Sequence, residues 1–261
     1  MEYRIIWRER VIDMSSLKFY AAGVSAAVEY CLKELAQLGC EIASQPDSTV
    51  THLLLPAPAF EAEGVLKGGI PLQPVLDRLP TNITVAGGNL QDPILANYQT
   101  IDLLQDPLYL AENAQITAHC AVKAALQELP ITLFGCNVLV IGWGRIGKCL
   151  ASLLRQMGAY VTVAARKEAD RAMILALGYD AMEIGQRNYS LVRYQVIFNT
   201  APVMVLPADS LSYCRPDCIL MDLASKPGIA GSRVIWARGL PGKLAPESSG
   251  KLMAKSILRL R

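Results

Sequence analysis

Val138-Leu139-Val140-Ile141-Gly142-Trp143-Gly144-Arg145-Ile146-Gly147 joins an unbroken apolar run directly to glycines spaced G-x-G-x-x-G. The apolar residues, mostly β-branched, predict a strand covered on both faces, as in a parallel sheet. The glycines meet separate steric demands. Gly142 permits a tight turn, Gly144 lets the backbone approach a pyrophosphate, and Gly147 lets the following helix pack closely on the strand. That helix is legible too, because Ile146, Leu150, Leu153, Leu154 and Met157 recur at helical spacing and Gly158 stops them. Its first N–H groups lack partners within the helix and favour an anion.

Tyr160-Val161-Thr162-Val163-Ala164 reads as a second strand, so the turn lies inside a βαβ unit of ordinary length. This context predicts a Rossmann dinucleotide site built on Gly142, Trp143, Gly144, Arg145, Ile146 and Gly147. An NAD-selective site carries an acid at the end of the second strand, about 20 residues beyond the turn, to accept from the ribose hydroxyls. Ala165-Arg166-Lys167 stands there instead. A carboxylate would repel a 2′-phosphate, whereas a guanidinium binds phosphate through paired hydrogen bonds. Arg166, Lys167 and Arg171 one turn later therefore favour NADP.

Composition excludes several other classes. Hydrophobic residues make up 52% and charged residues 18% of the 261 residues, with no apolar run long enough to span a membrane. Net charge is +2 and the basic residues are scattered, which argues against nucleic acid as a partner. The first ten residues carry charge throughout and lack the apolar core of a signal peptide, so a cytoplasmic location is expected. The seven cysteines lie mostly in apolar stretches and read as reduced core residues. Cys214 and Cys218 are close, but with only His52 and His119 elsewhere no metal site is expected.

Outward from the turn, the chain reads as α/β throughout. Residues 1–111 predict a smaller N-terminal α/β domain for substrate or dimerisation, 112–246 the Rossmann domain, and 247–261 a helix returning to the first. A helix is expected over Ser25–Leu38 with Val28, Leu32, Leu35 and Leu38 on its buried face. Strands are expected at Cys40–Ala43, Thr51–Leu55 and Ile83–Ala86, and the Pro- and Gly-rich stretch from Pro56 to Pro74 reads as mostly loop. Ala111–Leu129 predicts a helix leading to the strand at Val138. A helix at Ala169–Leu177 and a strand at Ala181–Ile184 follow the βαβ unit. Val196–Thr200 and Ile219–Leu223 are further strands that end in polar residues, where ligands of open α/β sheets gather. Ser248–Leu260 has a helical pattern.

With the glycine turn, Ala165-Arg166-Lys167, Asn199-Thr200-Ala201-Pro202, Asp222-Leu223-Ala224-Ser225-Lys226-Pro227-Gly228 and Gly239-Leu240-Pro241-Gly242-Lys243-Leu244-Ala245-Pro246 in view, the chain resembles the dipicolinate synthase A-subunit family from about residue 112 onward. The last two motifs are not general features of Rossmann proteins. The resemblance implies a fold like that of the D-2-hydroxyacid dehydrogenases. It also implies an NADP-dependent oxidoreductase forming dipicolinate from a dihydrodipicolinate-type precursor during sporulation. Such a protein would work as a homo-oligomer, alongside a flavoprotein-like B subunit. Thr117-Ala118-His119-Cys120 stands where that family has Thr-x-Glu-Gly. Either His119 replaces the Glu, or the chain acts on another small carboxylate or imine, or it is a catalytically weak NADP-binding protein that works through a partner.

Within this reading Lys226 is the expected ligand of a substrate carboxylate, with Thr117 and Lys243 also facing the substrate. Ser225 is a donor to substrate or nicotinamide, and Asn199 and Thr200 touch the cofactor ribose. His119, whose ordinary pKa is about 6.5, is the expected acid or base.

Overall fold

In a computed structural model, residues 14–184 and 189–261 are described. The N-terminal residues on which the expectation of a cytoplasmic location rests lie outside them. The chain divides into two compact units, one running to Asp106 and including Gly250–Arg261, the other spanning Pro107–Ser249.

The first unit contains β1 (Lys18–Ala21), α1 (Ala26–Gln37), β2 (Glu41–Ile42), β3 (His52–Leu54), β4 (Phe60–Ala62), β5 (Val65–Leu66), β6 (Ile70–Pro71), α2 (Gln73–Leu76), β7 (Thr84–Gly87) and β8 (Gln99–Asp102). Its main sheet is parallel in the order β2-β1-β3-β7-β8. Leu53, Leu55, Leu66, Leu72 and Val85 form the fully buried heart of one core cluster. Helix α1 follows the expected pattern through Val28 and Leu35, but Leu38 is exposed, since the helix has ended by then and Gly39 has turned the chain at φ +94°. The stretch expected to be mostly loop forms the small antiparallel sheet β4-β5-β6, closed by glycine turns. β1 and β8 carry no clear sequence signal. They are four-residue strands, too short for periodicity to stand out.

The second unit contains α3 (Pro107–Glu128), β9 (Asn137–Ile141), α4 (Arg145–Gln156), β10 (Tyr160–Ala165), α5 (Glu168–Ala176), β11 (Asp180–Glu183), β12 (Val196–Asn199), β13 (Ile219–Asp222), β14 (Ile235–Trp236), α6 (Leu240–Leu244) and the start of α7 (Pro246–Leu260). Its sheet is entirely parallel, ordered β11-β10-β9-β12-β13-β14. The α/β fold with its Rossmann sheet is therefore as the glycine turn implied. On one face Val138, Val140, Val161, Val163 and Phe198 pack with α3, α4 and α5. On the other, Leu139, Ile141, Ile197 and Leu220 meet Leu191, Tyr194, Leu206 and the buried Cys214 and Cys218. Successive side chains on each strand thus serve opposite cores, which explains the unbroken apolar runs. Helix α3 starts four residues before Ala111, and the stretch from Leu240 to Leu244 forms the short helix α6.

His52 on β3 is buried, with Nδ1 2.8 Å from the Thr51 hydroxyl and its ring 4.7 Å from that of Phe19. Burial, helped by the positive charge of Arg261, pushes its pKa down from 6.5 to about 4. Between those values the unfolded chain binds a proton that the folded chain refuses, so stability falls as pH drops through this window and this group takes no more below it. The difference is about 3 kcal/mol. In urea unfolding followed from neutral pH to pH 4, His52→Phe is expected to flatten this loss; an unchanged acid limb would refute the assignment.

Candidate nucleotide and substrate site

The strand order of the second unit reverses between β9 and β12, leaving a crevice at their carboxyl ends. Gly142 follows β9 at φ +108°. A Cβ there would collide with the Thr200 hydroxyl, and one on Gly147 would overlap the Gly142 carbonyl oxygen. Both positions are closed by the chain itself. Gly144 differs, because a Cβ on it would meet nothing within 4 Å. Its freedom from neighbours leaves the backbone open to an approaching ligand, which is the room a pyrophosphate requires. Gly144 is also the N-cap of α4 and brings no side chain to satisfy the first-turn N–H groups. The turn therefore fits a dinucleotide.

A cavity of about 200 Å³ lies against this turn, lined by Leu110, Asn113, Ala114, Gly144, Arg145, Ile146 and Thr200. Thr200 is fixed, its hydroxyl donating to Ile141 O at 3.0 Å. Asn113, which no sequence motif singles out, brings an amide to the same wall system as Arg145. Trp143 is anchored through its ring, edge-on to Tyr179 at 6.1 Å with Lys148 Nζ 5.7 Å from its ring centre.

At the end of β10, Ala165 is buried while Arg166 and Lys167 are exposed. Arg171 donates through Nη1 to Ala165 O at 3.1 Å and Arg166 O at 2.8 Å. It holds the bend from which Arg166 extends. A second cavity of about 250 Å³ opens beside this strand end, with Ile141, Ala164, Met182, Leu206 and Tyr213 among its walls and Glu183 and Asp209 also lining it. Those residues are scattered along the chain, so no local pattern announces it.

The loop after β13 is organised by one carboxylate. Asp222 is 1% exposed. Its Oδ1 accepts from Asn199 Nδ2 at 2.9 Å and Ala224 N at 3.0 Å, and its Oδ2 from Gly228 N at 2.6 Å and Ile229 N at 3.0 Å. Asn199 is fully buried and also donates to Ala201 O and accepts from Ala201 N, both at 3.0 Å. Its side chain is consumed in joining two strand ends and leaves nothing for a ribose. Ser225 and Lys226 project from the outside of this loop and are exposed.

Helix α3 separates two residues that the sequence motif groups. Leu110, Asn113, Ala114 and Thr117 share a face, and Thr117 is buried with its hydroxyl donating to Asn113 O at 2.7 Å. His119 lies about 170° round the helix from the centre of that face and is exposed. The acid–base role expected of it finds no support in this geometry. Lys243 is exposed on α6. Burial pushes the Cys218 thiol up to about 12. Among the described residues no group of three His, Cys, Asp or Glu is placed to hold a metal ion, and no helix is long and apolar enough to cross a membrane.

This architecture is that of a Rossmann-type nucleotide-binding fold. More specifically, the chain is similar to the A subunit of dipicolinate synthase from Bacillus subtilis, at 27% identity over 241 residues covering 85% of this chain and 81% of the relative. The solved structure of the corresponding dipicolinate synthase protein from Bacillus halodurans covers 95% of this chain and 98% of its own, with a TM-score of 0.82 at 24% identity. That of the Bacillus subtilis protein gives 0.77 at 25% identity, covering 94% and 95%. The resemblance drawn from the motifs holds. A transhydrogenase from Sinorhizobium meliloti shares the fold alone, with a TM-score of 0.68 and 13% identity over 93% of this chain and 92% of its own. An L-alanine dehydrogenase does so with 0.63 and 11% over 93% and 88%. No protein-family model matches the chain. Together these likenesses show a Rossmann-type fold.

Gly144→Ala is expected to leave thermal unfolding within a few degrees of the parent while weakening dinucleotide binding about 10-fold or more, because the new methyl meets only the ligand's space. Gly147→Ala should damage both. Calorimetry on the two variants distinguishes them, and normal nucleotide affinity in Gly144→Ala would remove the turn from the site.

Proposed function

We propose that this chain is an NADP-dependent oxidoreductase of the dipicolinate synthase A type, forming dipicolinate from a dihydrodipicolinate-type precursor. The observation that carries the reading is the loop Asp222–Gly228, a motif specific to that resemblance, held by a buried carboxylate at the same sheet edge as the glycine turn. The nicotinamide cofactor, when bound, supplies the two-electron acceptor.

The chain's own residues then bind and orient. Backbone N–H groups from Gly144 to Gly147 hold the pyrophosphate, Arg166 and Lys167 take the 2′-phosphate, and the cavity beside Ala164 takes the adenine ring between side chains such as Ile141 and Met182. Thr200 and the Asn113 amide border the nicotinamide end. Lys226 neutralises a substrate carboxylate, with Ser225 as a donor beside it and Lys243 as a second cation. Aromatisation of the ring favours the reaction, so positioning is the protein's main task. The Bacillus subtilis relative is named as one subunit of a synthase, which supports a partner chain here, taken in this reading to be a flavoprotein-like B subunit. Homo-oligomerisation, a role in sporulation and a cytoplasmic setting belong to the same proposal.

Arg166→Ala tests the cofactor. NADPH affinity should fall about 10- to 100-fold, the worth of a charge-assisted phosphate contact, while NADH affinity changes little; an equal effect on both would sink the 2′-phosphate assignment.

The substrate roles are tested separately by steady-state kinetics. Lys226→Gln should raise KM for the dihydropyridine substrate about 10-fold, the scale of one lost charge-assisted contact. His119→Ala should leave kcat and KM within about twofold of the parent, because the residue faces away from the cavity. A large loss of kcat in His119→Ala would return that residue to the chemistry.

A further inference from the structure

Trp236 occupies an unusual place for a large aromatic side chain. It lies on β14, opposite Asp222 in the last rung of the parallel sheet, at the carboxyl end where ligands gather. The residue is 50% exposed. The indole N–H donates to Ala224 O at 3.4 Å, so the ring is tethered to the loop that presents Ser225 and Lys226. The polar edge of the ring is thereby occupied. The Arg238 guanidinium lies over one face of the ring, 5.2 Å from its centre, and the opposite face is what remains for recognition. Neither Arg238 nor Lys226 has an acidic partner among the described residues, and Asp222 is wholly engaged by internal donors. The result is a flat aromatic surface with one cation just beyond its own strand and another on the tethered loop.

We infer that Trp236, with Arg238 and Lys226, is a specificity-determining platform for a planar, conjugated ring that carries carboxylates. A conjugated ring stacks on the indole face, which a puckered saturated ring does less well, and the two cations meet carboxylates on the ring's rim. An aliphatic carboxylate would use the cations and leave the indole idle. A purely structural tryptophan would instead be buried, or would need only its N–H bond to Ala224. The inference rests on the proposed reading of this loop as the substrate end of the site, and it adds what that reading lacks, a feature that selects for ring planarity.

The experiment is direct binding to the full chain saturated with NADP, with dipicolinate as the planar probe and piperidine-2,6-dicarboxylate as its saturated counterpart. Isothermal titration is expected to show dipicolinate bound about 10-fold more tightly, the scale of one aromatic stacking contact. Trp236→Leu should remove that preference, and Trp236→Phe, which keeps a ring but loses the N–H donor, should restore most of it. A chain labelled with 5-fluorotryptophan contains three reporters. The fluorine resonance lost in Trp236→Phe should be the one that moves on adding dipicolinate. Equal affinity for the two probes in the parent would overturn the inference, as would Trp236→Phe behaving like Trp236→Leu, since the side chain would then act through its hydrogen bond. Planar-ring selectivity without turnover of the dihydropyridine would leave the platform standing and refute the proposed reaction. Turnover with no change in binding on Trp236→Leu would do the reverse.

Discussion

The second unit depends on the carboxylate of Asp222 more than on any other single group. It is buried at the end of β13 and accepts from a side-chain amide on the neighbouring strand and from backbone N–H groups of its own loop. A carboxyl group in such a place is tolerable only because each of its oxygens is answered by two donors. The consequence is rigidity at the edge of the sheet where precision matters. The ends of β12 and β13 are tied together, the loop to Gly228 is folded back beneath itself, and Ser225 and Lys226 are pushed outward. Asp222 itself has no capacity left for a ligand.

The glycine turn supplies the complementary constraint. Two of its glycines are demanded by the chain's own packing, whereas Gly144 is surrounded by free space. A position that the fold does not require to be small, inside a motif where it is small, points to a requirement set by something outside the chain. The Asp222 loop works in the same way at the other end of the crevice, holding its exposed side chains where the protein itself has no use for them. Both ends are rigid frames with unfilled outer faces. Rigid frames of this kind suit a reaction whose driving force lies in the substrate and whose catalyst must mainly align two partners.

How much is legible in the sequence varies with the range of the interaction. β9, α4 and β10 follow from a contiguous pattern in which each residue's burial depends on its near neighbours. The glycine turn is legible because its glycines are spaced by local geometry. Asn199 and His119 mark the opposite case. Asn199 stands at the right strand end, yet its amide is spent on Asp222, a partner distant in sequence. His119 lies in the right motif, but the helical phase that carries Asn113 to the cavity carries His119 away from it. Spacing alone yields that phase only once the face of α3 that meets the turn is known.

From the sequence alone came the α/β class, the parallel sheet, the glycine turn between β9 and α4 and the cationic end of β10. All of these are set by alternation, helical spacing or the conformational freedom of glycine, which act within a few residues. Only the tertiary structure decided which polar side chains are consumed inside the chain and which are left to face a ligand. It turned Asn199 and Thr117 inward, used Arg171 as a backbone clamp, and brought Trp236 to the loop that carries Lys226. The physical reason is that hydrogen-bonding capacity is finite and is allotted by contacts across the sheet, between residues that no local pattern relates.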